Sequence, residues 1–182
     1  MKFLPTRLPD VVLIEPEVRG DQRGFFMETW HTRKFAAAGI EAAFVQDNHS
    51  RSIQGTLRGL HLQTCQPQGK LIWVIAGEIF DVAVDLRKSS PTFRRWVGLT
   101  LSAANRHQLW VPPGFAHGFY VLSTAAEIIY KCTDFYAPEH ERTLRWNDPE
   151  LAIDWPLTAG HPPILSAKDA TGVALRDLIV SL

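Results

Sequence analysis

Hydrophobic and polar positions alternate with the period of a β-strand along most of the chain. The run Leu71-Ile72-Trp73-Val74-Ile75, which follows Lys70, leads into a turn at Gly77-Glu78. After it comes Ile79-Phe80-Asp81-Val82-Ala83-Val84-Asp85-Leu86. In this second run Phe80, Val82, Val84 and Leu86 share one face, and Asp81 and Asp85 share the other. Two such runs around a glycine-containing turn predict a hairpin. Further strands are predicted around 11–18, 24–28, 43–48, 57–63, 94–101, 107–111, 116–122 and 126–134. Short strands at this spacing, punctuated by Gly and Pro, predict a mainly β sandwich or jelly roll. The face carrying Asp81 and Asp85 then has two readings: a solvated outer surface, or the inner wall of a ligand cavity.

Two helical stretches interrupt the pattern. Thr29 is placed to cap a helix through Trp30, Phe35 and 36–38, with Gly39 as its stop. Val173, Leu175, Leu178 and Ile179 fit a short terminal helix. Pro149, Pro156, Pro162 and Pro163 mark an extended region after the last strand. With no internal repeat or low-complexity tract, one domain is expected over 1–182, with an N-terminal strand arm and a C-terminal helical tail.

Composition narrows the function classes. The chain has 182 residues, 46% hydrophobic and 21% charged, which excludes a disordered chain. Lys plus Arg equals Asp plus Glu at 19 each, against a dedicated nucleic-acid or membrane-surface binder. No apolar run is long enough to span a bilayer, and the N-terminus lacks a signal-peptide pattern. Cys65 and Cys132 form neither a metal spacing nor a disulfide framework. Asn48-His49-Ser50 would be a glycosylation site only in a secreted protein. A cytoplasmic globular protein is expected.

Two segments carry candidate chemistry. Gly55-Thr56-Leu57-Arg58-Gly59-Leu60-His61-Leu62-Gln63 resembles the first cupin motif, and Pro112-Pro113-Gly114-Phe115-Ala116-His117 resembles the second. Cupins that bind metal continue His-x-His, whereas this chain has Gln63 at the second position. With one ligand of the pair missing, no metal is expected, and the histidines become candidates for proton transfer. Gly69-Lys70 is not a P-loop, because no glycine sits five positions earlier and Leu71 follows the lysine.

The resemblance then narrows. Asp21-Gln22-Arg23-Gly24-Phe25-Phe26-Met27-Glu28, Gln46-Asp47-Asn48-His49-Ser50 and Leu57-Arg58-Gly59-Leu60-His61 resemble the dTDP-4-dehydrorhamnose 3,5-epimerase family. So do Gln68-Gly69-Lys70-Leu71, the 77–85 run, Tyr130-Lys131-Cys132-Thr133-Asp134-Phe135-Tyr136, Trp146-Asn147-Asp148-Pro149 and Leu165-Ser166-Ala167-Lys168-Asp169. These occur in family order over roughly residues 5 to 170. The resemblance implies a cupin-type jelly roll and a cofactor-independent isomerase that inverts C3 and C5 of a 4-keto sugar nucleotide. Both carbons flank the C4 carbonyl, so their hydrogens are acidic once the enolate is stabilised. Inversion needs a base on one face of the sugar and an acid on the other.

By the same resemblance His61 is the base and Asp169 its paired carboxylate. Lys70 faces the C4 oxygen, and Tyr130 is the opposite-face acid. Tyr136 is a second active-site aromatic. Arg23 and Arg58 match contacts to the nucleotide's phosphates. Glu28, Gln46, Asn48 and Glu141 match polar contacts to nucleotide or sugar, and His117 lies near the diphosphate or sugar. Lys168 is a further contact, and Phe26 is placed to stack on thymine. A homodimer that exchanges N-terminal strands is also implied. Outside this match, each of these side chains would pass for an ordinary surface or core residue.

Two departures stand out: Leu62 replaces an aromatic after the base, and Trp73 replaces an arginine. Neither moves a proton. The rival readings are a 3- or 5-mono-epimerase, a non-catalytic sugar-nucleotide-binding cupin and a metal-dependent cupin.

Overall fold

The computed structural model describes residues 1–180. Its strands are β1 (Lys2–Pro5), β2 (Val12–Glu15), β3 (Val18–Asp21), β4 (Gly24–Met27), β5 (Gln46–Ile53), β6 (Leu57–Gln63) and β7 (Lys70–Ala76). They continue with β8 (Glu78–Asp85), β9 (Trp96–Ser102), β10 (Gln108–Val111), β11 (Phe115–Val121), β12 (Ala125–Cys132) and β13 (Glu141–Thr143). Short helices α1 (Thr32–Ala37), α2 (Ala167–Ala170) and α3 (Leu175–Val180) and a 3₁₀ turn at Pro138–His140 complete the order.

Two antiparallel sheets face each other, with strand orders β1-β2-β10-β7-β12-β5 and β13-β6-β11-β8-β9. This is the predicted jelly roll. Strands 71–75 and 79–86 are present as β7 and β8, although β8 hydrogen-bonds to β11 and β9 rather than back to β7. The turn at Gly77 therefore carries the chain from one sheet to the other. The predicted strand 11–18 is broken at Pro16, and 43–48 is replaced by a longer β5 that starts at Gln46. Strands β1 and β13 lie outside the predicted set. Helix α1 starts three residues beyond the expected cap, at Thr32, and ends at Gly39, whose φ of +82° suits glycine.

Both faces of the central strands are covered, so the apolar pattern is denser than one-sided alternation. Between the sheets pack Ile72, Val74, Ile79, Ala83, Leu101, Leu109, Phe119 and Ile128. The outer face of the five-stranded sheet, with Leu62, Val82, Val84 and Leu86, is covered by Leu151, Trp155, Leu175 and Leu178. On the other sheet, Leu71, Ile14 and Trp110 pack against Phe35 and Ile40. Asp81 and Asp85 therefore point inward, each with zero exposure. The solvated-surface alternative for that face does not hold.

β6 and β11 meet with an irregular register: His117 opposes His61, and Phe119 opposes Arg58. Two steps along β11 thus match three along β6, which is a β-bulge. The bulge turns both Arg58 and His61 toward the space between the sheets, although they are three residues apart. Gly59 makes it sterically feasible. Its φ is +110°, and a Cβ there would lie 2.6 Å from the His117 carbonyl oxygen.

β3 and β4 pair only with each other. The last two positions of the expected domain, 181 and 182, lie outside the described residues.

Candidate active site

A cleft of about 360 Å³ opens between the two sheets. From the six-stranded sheet come Gln46, Asn48 and Ser50 of β5, Lys70 of β7, and Ile128, Tyr130 and Cys132 of β12. From the other come Arg58 and His61 of β6, His117 to Phe119 of β11, and Glu141 of β13. Tyr136 and Lys168 stand at the rim. Ten of the expected site residues therefore share one cavity.

Asp169 lies directly behind it. Its Oδ1 accepts from His61 Nε2 at 2.6 Å and from the Gly59 amide, freed by the bulge, at 3.2 Å. Ser166 caps α2 by accepting the Asp169 amide and donates its hydroxyl to Asp169 Oδ2 at 2.7 Å. Burial alone would raise the Asp169 pKa. The hydrogen bonds from His61 and Ser166, with the Gly59 amide, outweigh it and hold the carboxyl below its usual range. His61 is thus oriented by a carboxylate on Nε2, leaving Nδ1 toward the cleft, 4.0 Å from Glu141 Oε1.

The Lys70 ammonium makes no hydrogen bond or ion pair among the described residues. Its burial lowers its pKa, and the charges of Cys132, Glu141 and Asp81 oppose that only in part. Tyr130 on β12 likewise has an unengaged hydroxyl. Burial first, and the neighbouring Cys132 second, push its pKa up, so the phenol keeps its proton.

Glu141 gathers the rim: its Oε2 accepts from Tyr136 at 2.9 Å and from Lys168 at 2.7 Å. Burial would raise its pKa, but those two bonds prevail and lower it. The Tyr136 phenol is pushed up chiefly by the same bond. Along β5, Gln46 accepts the Tyr136 amide at 2.9 Å and donates to Asn48, which donates on to the Cys132 sulfur. Arg58 is steadied by one bond, Nε to Ser52 Oγ at 2.9 Å, which leaves its outer guanidinium nitrogens unengaged.

Three expected residues are not in this cleft. Arg23 pairs with Asp21 at 2.6 Å on the exposed β3–β4 turn, Phe26 is 71% exposed, and Glu28 pairs with Lys34. The cause is the isolation of the hairpin, which no strand of its own chain holds against the cleft.

Two residues noticed in the sequence but not placed among the site residues contribute. Asp81 accepts from His117 Nε2 at 2.9 and 3.0 Å. Gln63, at the position where metal-binding cupins carry their second histidine, donates to the carbonyls of Gln66 and Phe135 and accepts the Ala137 amide. Its amide is committed to holding loops. No group of three or more His, Cys, Asp or Glu is arranged to hold a metal among the described residues. Leu62 and Trp73, the two departures, belong to the outer clusters and face away from the cleft.

The fold and the cleft define a cupin-type jelly roll equipped for acid–base chemistry, with an imidazole–carboxylate pair on one wall and a phenol and an ammonium on the other. The chain belongs to the dTDP-4-dehydrorhamnose 3,5-epimerase family, whose model matches residues 5–177. It is 60% identical over 178 residues to the dTDP-4-dehydrorhamnose 3,5-epimerase of Pseudomonas aeruginosa, covering 97% of each chain. It is 53% identical to that of Shigella flexneri, again covering 97% of each. Among solved structures, it resembles the dTDP-6-deoxy-D-glucose-3,5-epimerase of Legionella pneumophila in complex with dTDP-4-keto-L-rhamnose. The TM-score is 0.93 at 53% identity, over 96% of this chain and 93% of that one.

Proposed function

We propose that this chain inverts C3 and C5 of dTDP-4-dehydro-6-deoxy-D-glucose, giving dTDP-4-dehydro-L-rhamnose for dTDP-L-rhamnose synthesis. The observation that carries the residue roles is that His61 and Tyr130 line one cleft from opposing sheets. A sugar ring between them meets a base on one face and an acid on the other.

The reaction runs in two like halves. His61 Nδ1 takes the proton from the carbon beside the C4 ketone, and Asp169 stabilises the imidazolium that forms. The electron pair moves into an enolate whose oxygen faces the Lys70 ammonium; such preorganised charge stabilises the developing oxyanion. Tyr130 donates its proton to the opposite face of the carbanionic carbon, and before the next half exchange with solvent removes the abstracted proton from His61 and returns one to Tyr130. Arg58 and His117 hold the diphosphate, while Gln46, Asn48, Glu141 and Lys168 bind nucleotide or sugar. Tyr136 flanks the ring. No cofactor is required, because the ketone itself is the electron sink.

The hairpin supplies the remaining contacts to a second copy. Arg23, Phe26 and Glu28 sit on a hairpin that pairs with no other strand among the described residues, which supports a homodimer with exchanged arms. One domain over 1–182 and a cytoplasmic site of action complete the reading; no helix among the described residues is long and apolar enough to cross a membrane.

The test is incubation with dTDP-4-dehydro-6-deoxyglucose in deuterated water, followed by NMR at C3 and C5. Deuterium at both carbons with inversion is expected. Exchange at one carbon only would make the chain a mono-epimerase, and none at either would reduce it to a binding protein. For the dimer, His61→Asn and Arg23→Ala chains are each inactive but regain activity on mixing if the arms exchange.

A further inference from the structure

Four aspartates are almost fully buried: Asp81 and Asp85 at 0%, Asp148 at 2% and Asp169 at 3% exposure. A buried carboxylate is costly unless it is paired and hydrogen-bonded, so the donors around each one indicate why it is there. Asp85 is held by the Arg87 amide and guanidinium, Ser90 and Thr92. Asp148 accepts the amides of Glu150 and Leu175, tying α3 to the preceding loop. These two staple the fold. Asp169 serves the proposed base.

Asp81 differs from the two staples. It sits between the apolar residues Ile79 and Ala83, with Leu99 beside it on β9 and Phe119 opposite it on β11. Among the described residues its only side-chain hydrogen-bond partner is His117 Nε2, which both of its oxygens share. An aliphatic side chain would fill this position without any desolvation cost. Fold stability therefore gives no reason for a carboxylate here; the imidazole it bonds directly does, with the buried Lys70 charge as a more distant beneficiary. His117 is 11% exposed at the side chain and lines the cleft. It stands directly across β6 and β11 from His61, where Gly59 and Gly118 let the two backbones approach closely.

We propose that Asp81 is a positioning residue that acts through His117. The cleft then holds two buried carboxylate–imidazole pairs facing each other across one strand register: His61–Asp169 at the reacting carbons and His117–Asp81 at the nucleotide diphosphate. Asp81 fixes the His117 proton on Nε2 and with it the ring's orientation, as a carboxylate behind a functional histidine does. The assignment of the diphosphate to His117 rests on the proposed function; the pairing of Asp81 with His117 does not.

The experiment measures dTDP affinity by calorimetry in the wild type, Asp81→Asn, His117→Gln and the double variant. Asp81→Asn and His117→Gln are each expected to weaken dTDP on the order of tenfold. The double variant should be no weaker than the worse single variant, because both remove one interaction. Wild-type affinity in Asp81→Asn, or losses that multiply in the double variant, would overturn the proposal. Nitrogen-15 spectra of the wild type supply a reading that needs no variant. They should place the His117 proton on Nε2, and a proton on Nδ1 alone overturns the pairing. Deuterium exchange at C3 and C5 by the wild type is followed in parallel. Its absence with the dTDP results intact would remove the epimerase reading and leave the pair standing.

Discussion

Replacing Asp169 by Asn separates the charge of this residue from its geometry. The Gly59 amide donates to Oδ1, the same oxygen that meets His61, while Oδ2 meets the Ser166 hydroxyl. An asparagine oxygen therefore takes the Oδ1 position, since an NH₂ there would face the Gly59 N–H. The NH₂ turns to Ser166, whose hydroxyl can accept. His61 keeps its proton on Nε2 and its bare Nδ1, so the base remains in the working tautomer. What is lost is the negative charge that stabilises the imidazolium. A hydrogen bond to a charged partner contributes about 1.5–3 kcal/mol. Asparagine keeps the bond at the neutral value of about 0.5–1.5 kcal/mol, so about 1–1.5 kcal/mol is lost, which at 1.36 kcal/mol per tenfold slows proton abstraction roughly five- to tenfold.

Asp169 does not line the cleft, so KM should hold while kcat falls. Initial rates of deuterium entry at C3 and C5, measured against substrate concentration, read both quantities. Ser166→Ala removes one donor but keeps the charge, and should cost several-fold less than Asp169→Asn. An unchanged kcat in Asp169→Asn would refute this account of the pair. So would a loss carried entirely by KM.

Three other perturbations probe separate parts of the argument. Tyr130→Phe removes the opposite-face proton and should depress inversion by about 10²–10⁴-fold. Deuterium exchange persists with retention, and full turnover in this variant would remove Tyr130 from the role of acid. Asp85 has a pKa of about 2, because burial, which would raise it, is outweighed by bonds from Arg87, Ser90 and Thr92. A carboxylate depressed in the folded state stabilises above its unfolded value near 3.9 and loses that stabilisation as pH falls through about 2. Asp85→Asn should therefore cost on the order of 2 kcal/mol in denaturant unfolding at pH 7, with a gap to wild type that narrows below pH 4. Gly59→Ala would push a Cβ to 2.6 Å from the His117 carbonyl oxygen at a φ of +110°. A loss of more than about 2 kcal/mol with collapse of activity is expected. Wild-type stability there would show that the bulge relaxes freely.

Much of the fold was legible because alternation is strong where one face of a strand meets the inter-sheet core. Strands β6 to β12 lie close to their expected limits for this reason. What escaped was short or held by single tertiary contacts. β13 is three residues long and exists through its pairing with β6. Helix α2 is one turn, too short for any periodicity, and its cap at Ser166 is the sole local signal. The candidate site was legible through its motifs, yet two of its features were not. The inward turn of Asp81 could not be chosen from alternation alone, because the C-terminal segments bury the opposite face of β8 as well. The bulge that aligns Arg58 with His61 breaks strand parity, and Gly59 was its only trace. Arg23, Phe26 and Glu28 were named by motif, but a motif does not state that their hairpin lies apart from the cleft of its own chain.

The surroundings of the two histidines suit this barrel to acid–base chemistry rather than to a shared ion. In a metal-binding cupin, both motifs converge on one ion, which fixes the orientation of its imidazoles. In this chain Gln63 spends its amide on the backbone of three neighbouring residues, Gln66, Phe135 and Ala137, so it cannot serve as a ligand. Each histidine has a carboxylate on Nε2, Asp169 from the C-terminal tail for His61 and Asp81 from the barrel wall for His117. A carboxylate does for the ring what an ion would do in holding it, but it leaves the other nitrogen toward the cleft. In the proposed reaction that free nitrogen on His61 is the base, with Lys70 and Tyr130 lining the cleft from the facing sheet.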